Sequence, residues 1–221
     1  MKSQYAALDG IRLHYLEAGA GPPMLFVHGF PEFWYAWESQ LAEFSKDHRA
    51  VALDMRGHNL SDKPADAKAY RPKHLVADLR GMIDHLGGKA IVVAHDWGGA
   101  AAWNLATAHP ERIEKLVIIN SPHPVAFARE LRNSPAQQQA SAYMNWLRRP
   151  GAAEKAAGGR LRAPGRHAAA EHQRSRLADA GTAGTLSRSV DAAGRDGRQP
   201  QLLPRIAAAP GRAGGASRHR A

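Results

Sequence analysis

Asp96 stands between an apolar run, Ile91-Val92-Val93-Ala94, and a pair of glycines, Gly98 and Gly99. A brief apolar run bounded by small residues reads as a buried strand, and the residues after Gly99 suit a helix. Strand, small residue, aspartate, two glycines, helix: that order describes a sharp turn holding the aspartate in a strained backbone conformation at the end of a strand. Ala94, Gly98 and Gly99 are then small because strand and helix approach closely. The positive end of the following helix favours a carboxylate there. Carboxylates ionise near pH ~4 and need no base before they attack. Such a group suits displacement at a saturated carbon with a leaving group, an epoxide C–O or a carbon–halogen bond. The product is an ester of the enzyme, whose hydrolysis calls for a histidine base and donors for the developing oxyanion. A lone aspartate can also merely cap a helix. The preceding strand and the glycine pair favour the nucleophile.

The elements needed to position Asp96 are legible on both sides of it. Residues 4–8 and 12–18 read as two strands joined at Asp9-Gly10, a hairpin signal. Met24-Leu25-Phe26-Val27 is a buried strand, residues 34–44 carry apolar groups at helical spacing, and residues 50–53 form another apolar run. Residues 71–86 suit a helix stopped by Gly87-Gly88, residues 100–109 a helix ended before Pro110, and residues 116–119 a further strand. Buried runs alternating with helices predict an α/β fold: a mostly parallel sheet with helices on both faces, opened by an antiparallel hairpin.

Composition divides the chain near Pro150. All 15 Phe, Trp and Tyr residues fall within residues 1–146. Of the 71 residues from Gly151 onward, 46 are Ala, Gly, Arg or Pro, and large apolar residues are scattered without pattern. The formal charge of +10 sits mostly there: residues 151–221 have 13 Lys and Arg against 5 Asp and Glu. Such a segment buries too little apolar area to offset its ordering entropy, so disorder is the expectation, with a short helix around residues 166–180. A natural basic arm and a linker are alternatives, but Ala, Gly, Arg and Pro have the codons richest in G and C, so a GC-rich gene read out of frame is the favoured reading. Gly158–Pro164 can be encoded so that the adjacent frame reads as an amphipathic segment containing an aromatic. The basic residues are spread singly with no aromatic to stack on bases, which argues against a nucleic-acid partner. The chain has no cysteine, which excludes disulfides and thiolate metal sites. No cofactor or metal is called for. No stretch reaches the ~20 apolar residues of a membrane span, and the first residues do not form a signal segment, so a cytoplasmic protein is expected.

Two motifs together give the sequence a family resemblance. His28-Gly29-Phe30-Pro31-Glu32 and His95-Asp96-Trp97-Gly98-Gly99 resemble the epoxide hydrolase and haloalkane or haloacetate dehalogenase branch of the α/β-hydrolases. The segment from Asp54 through Arg56, Gly57, His58, Asn59 and Ser61 to Asp62 is similar to that branch's loop after the next strand. Asn59 stands where many members have glycine, and asparagine tolerates a positive φ. The resemblance reaches about Arg149, through Ile119-Asn120-Ser121-Pro122-His123-Pro124, where the family leaves its sheet for a helical cap. It implies an α/β-hydrolase core over 1–120 and the start of the cap over 121–150, while composition sets apart the basic tail over 151–221. It implies Asp96 as nucleophile, the backbone N–H groups of Phe30 and Trp97 as oxyanion hole, and the Trp97 indole N–H facing the leaving group or substrate. Phe30-Pro31 is expected to be a cis peptide. Tyr143 is a candidate cap residue lining the pocket, with simple packing as the alternative. His28 and His95 read as structural, Asp54, Arg56 and Asp62 as charges bracing loops, and Phe33, Trp34, Tyr35 and Trp37 as core.

The family's remaining groups, a late acid and a histidine near its C-terminus, have no recognisable context here. His167, His172 and His219, like Asp179, Asp191 and Asp196, lie in Arg/Ala/Gly-rich sequence with no strand to place them. The expectation is a hydrolase sheet truncated before its closing strands and inactive in turnover for lack of the late acid and histidine, at most alkylating Asp96 once. Phe-Pro-Glu after His28-Gly29, with the double glycine after Trp97, tilts the substrate toward an epoxide, an organohalide being the alternative. A polyanion-binding protein using the basic tail is the alternative of another class.

Overall fold

The computed structural model describes residues 1–147 of the chain; the tail expected over residues 151–221, with its late histidines and acids, lies outside the described residues. Six strands form one sheet: β1 (Lys2–Leu8), β2 (Ile11–Ala18), β3 (Pro23–Val27), β4 (Arg49–Leu53), β5 (Ala90–His95) and β6 (Ile113–Ile119). Their spatial order is β1-β2-β4-β3-β5-β6. β1 and β2 run antiparallel, β2 joins β4 antiparallel, and β4, β3, β5 and β6 are parallel. Helices α1 (Glu38–Phe44), α2 (Pro72–His85) and α3 (Asp96–Ala108) connect the parallel strands. After β6 come three short helices, α4 (Pro124–Asn133), α5 (Pro135–Ala140) and α6 (Ala142–Leu147).

Alternate residues of a strand face opposite sides of the sheet, and here each side has its own core. Leu25, Val27, Val51, Leu53, Val92 and Ala94 meet Leu75, Leu79, Met82 and Ile83 of α2 and Ala101, Ala102 and Leu105 of α3. Met24, Phe26, Ala50, Ala52 and Ile91 face the other way, against Trp37 and Leu41. Strands apolar on both sides are what a parallel sheet covered twice requires.

Three boundaries differ most from expectation. The segment predicted as one helix over residues 34–44 splits into a 3-10 turn, Trp34–Trp37, and α1. Phe33 before it is extended, and the Trp34 N–H is drawn to the Asp54 carboxylate at 2.8 Å. α3 begins at Asp96, well before Ala100, because the two glycines are first-turn helix residues and not a loop. β6 begins at Ile113, ahead of the predicted residue 116. Glu114 and Lys115 are exposed there, so their charge masked the strand.

Candidate active site

β5 delivers the chain into α3 with no intervening loop, and Asp96 is the joint. Its φ is +50°, in the left-handed region that costs an L-residue of order 1–3 kcal/mol. The cost is borne because neighbouring segments close on the turn. A Cβ on Gly98 would lie 2.3 Å from the His28 carbonyl oxygen, and one on Gly99 would lie 2.5 Å from Ser121 Cβ. A Cβ on Gly29 would lie 2.5 Å from Asp96 Cβ. Three segments, residues 27–32, the turn itself and the stretch after β6, therefore touch with no room for a methyl group.

The first of these segments faces the carboxylate. The Phe30 N–H donates to Asp96 Oδ1 at 3.1 Å. The Phe30-Pro31 peptide is cis, as the sequence suggested. The Glu32 N–H donates to the Gly29 carbonyl at 3.0 Å, closing the turn. The buried indole Nε1 of Trp97 makes no hydrogen bond among the described residues. Asp96, Phe30 and Trp97 are thus brought together. Tyr143 is half-buried on α6, beside the buried Met144 in sequence.

The nearby histidines have structural assignments. His28 is fully enclosed; its Nε2 accepts the Met55 N–H at 3.0 Å and its Nδ1 donates to the Gly29 carbonyl at 2.8 Å. Both ring nitrogens are thereby committed, and burial holds its pKa below the ordinary value. The ring meets that of His58 edge-on at 4.8 Å. Burial, and then His28 itself, push His58 down to about 3, and its enclosed Nε2 has no hydrogen-bond partner among the described residues. His95 is different: its Nδ1 lies 3.2 Å from Glu32 Oε2, a contact that raises its pKa against the opposing effect of burial.

The charges read as loop braces hold that position. Asp54, fully buried, accepts from the Trp34 N–H and from Asn59 Nδ2, each at 2.8 Å. Arg56 grips Asp78 of α2 through Nε and Nη2, each at 2.5 Å. Asp62 accepts the Arg12 N–H at 2.8 Å. Asn59 has φ +39°, the left-handed geometry that let it replace glycine. Sequence reading missed the Glu32–His95 and Arg56–Asp78 pairs, which join residues 63 and 22 positions apart. Among the described residues no cluster of three or more His, Asp or Glu side chains could hold a metal ion, and no helix is long and apolar enough to cross a membrane.

A mostly parallel sheet with an antiparallel start, and a strained strand-to-helix joint presenting an acid beside a backbone N–H, define an α/β-hydrolase. Comparison with known proteins agrees: the family model described as alpha/beta hydrolase fold matches residues 22–203, and the chain belongs to that family. It is 48% identical over 145 residues to epoxide hydrolase 1 of Caenorhabditis elegans, covering 64% of this chain and 36% of the worm protein. With epoxide hydrolase 4 of Mus musculus it shares 45% over 145 residues, covering 64% and 40%. The solved Bacillus megaterium epoxide hydrolase in complex with an inhibitor is 34% identical, with a TM-score of 0.74 over 91% of this chain and 70% of that one. One from Vigna radiata gives 34% and a TM-score of 0.63, over 72% and 51%. The aligned region thus spans about two fifths of the length of these curated relatives.

Proposed function

We propose that this chain carries the nucleophilic half of an epoxide hydrolase acting through an aspartyl ester. Asp96 attacks an epoxide carbon, the C–O bond breaks, and the alkoxide takes a proton from solvent water to leave a hydroxyalkyl ester. Water then adds to the ester carbonyl carbon. The oxyanion forms where the Phe30 N–H already points, with the Trp97 backbone N–H as its second donor. Collapse returns the carboxylate and releases a diol. The Trp97 indole and Tyr143 line the substrate site, and α4–α6 are the start of a cap over it.

The observation that carries this reading is the left-handed Asp96, whose carboxylate faces the Phe30 N–H. The second step needs a base, and among the described residues His28 is engaged in two backbone contacts, His95 is engaged with Glu32, and His58 Nε2 is enclosed away from solvent. We therefore expect alkylation to outrun ester hydrolysis in this chain. Incubation with styrene oxide should leave a mass adduct on the peptide bearing Asp96, absent in Asp96→Asn. An unmodified Asp96 peptide after prolonged incubation would refute the nucleophile assignment. An organohalide is the second reading, favoured by the buried indole N–H of Trp97, a donor suited to a departing halide. A haloalkane that alkylates faster than the epoxide would select it.

A further inference from the structure

At the far edge of the sheet, three side chains form a short hydrogen-bonded chain that the Asp96 chemistry does not use. β1 pairs with β2 so that Ser3 lies opposite Leu16 and Tyr5 opposite His14, which places Ser3 and His14 diagonally on one face. Ser3 Oγ is 2.8 Å from His14 Nε2, and His14 Nδ1 is 2.7 Å from Asp54 Oδ2. Asp54 already accepts from the Trp34 N–H and from Asn59 Nδ2. With the carboxylate acting as acceptor, Nδ1 carries the proton and Nε2 presents a lone pair to the Ser3 hydroxyl. The ring is held firmly. The His14 N–H donates to Ser61 Oγ at 2.9 Å, and its carbonyl accepts from the Asp54 N–H at 2.9 Å. His14 is 1% exposed and Asp54 fully buried, whereas Ser3 is open to solvent.

We propose that Ser3 is a second nucleophile, with His14 as its general base and Asp54 as the group orienting that base, and that it accepts acyl groups from small aryl esters. Ser3 Oγ bonds to the acyl carbon while its proton passes to His14 Nε2. The ester C–O bond then breaks, and the phenolate leaves with that proton. Water attacks the acyl-serine, gives a proton to Nε2, and frees the carboxylic acid as Ser3 regains its hydrogen. The preference for aryl esters follows from Tyr5, which is two residues along on the same face and 45% exposed. The Arg12 guanidinium lies 4.7 Å from the centre of its ring, giving an apolar surface with a cation beside it for the leaving phenolate. β1 ends the sheet of described residues, so every second N–H of the strand faces outward without a strand partner and can meet the acyl oxygen.

The test is covalent labelling of the full chain with a fluorophosphonate and with p-nitrophenyl acetate, read by peptide mass mapping. The Ser3 peptide should label at least about 100-fold faster than the exposed Ser39 of α1, the scale general-base assistance provides. The label should vanish in Ser3→Ala and in urea, and fall by a similar factor in His14→Gln. Labelling of Ser3 no faster than Ser39, equal labelling in urea, or a full rate in a folded His14→Gln protein would each overturn the proposal. If His14→Gln does not fold, the Ser39 and urea comparisons still decide. The epoxide adduct is read on a different peptide, so either assignment can fail while the other stands.

Discussion

At the scale of single residues, the site is a problem of space as much as charge. Gly98 is required because a methyl group there would strike the His28 carbonyl at 2.3 Å, a backbone atom that cannot swing aside. Gly98→Ala should therefore destabilise the fold by at least about 1–3 kcal/mol, as overpacking does, and slow alkylation of Asp96 more than the stability loss alone explains. Urea unfolding and adduct formation on the same samples would separate the two effects. His28 and His58 make a second residue-level prediction. Both have folded-state pKa values below the ordinary 6.5, so the unfolded chain binds their protons more readily. Their contribution is present above that ordinary value and is lost as pH falls through the window down to about 3 for His58. His95 and Asp78 have raised values and act in the opposite sense, His95 near neutrality and Asp78 nearer the carboxylate range. The urea midpoint should drop between pH 7.5 and 5, and the drop should be shallower in His58→Gln.

At the scale of elements, Arg56 and Asp78 tie the loop after β4 to α2 in a buried pair. Burial pushes the Asp78 carboxyl up while Arg56 pulls it down, so removing the arginine leaves an uncompensated buried acid. Arg56→Ala should cost about 3–5 kcal/mol, and the paired change Arg56→Met with Asp78→Leu much less. Calorimetric melting of the single and double variants would reveal the difference, and equal losses would show that the loop needs the charge itself. This tie also marks where sequence reading stops. The strands of the sheet were legible because their apolar runs are local, and the Asp96 turn because its glycines adjoin it. Arg56 could be read only as a charge near a loop, since its partner comes from a helix 22 residues later. Ser3 offered no signal at all: its meaning depends on a strand register and on Asp54 at the end of β4. The start of the 3-10 turn at Trp34–Trp37 was hidden for a similar reason, because the acceptor of its otherwise orphaned first N–H is Asp54, 20 residues later.

At the scale of the molecule, the sheet of described residues ends on β6, and the later exposed positions of that strand are apolar. Val117 and Ile119 are 45% and 39% exposed, and Val125 of α4 is 72% exposed. An uncovered edge of this kind promotes self-association. Val117→Lys should lower concentration-dependent light scattering with little change in melting temperature; unchanged scattering would place the sticky surface elsewhere. The closeness of the segments around Asp96 has a further consequence, for biosynthesis. Every contact described at that turn comes from residues between Val27 and Ser121. On a translating ribosome, the described segments that shape the turn at Asp96 are present once Ser121 clears the exit tunnel.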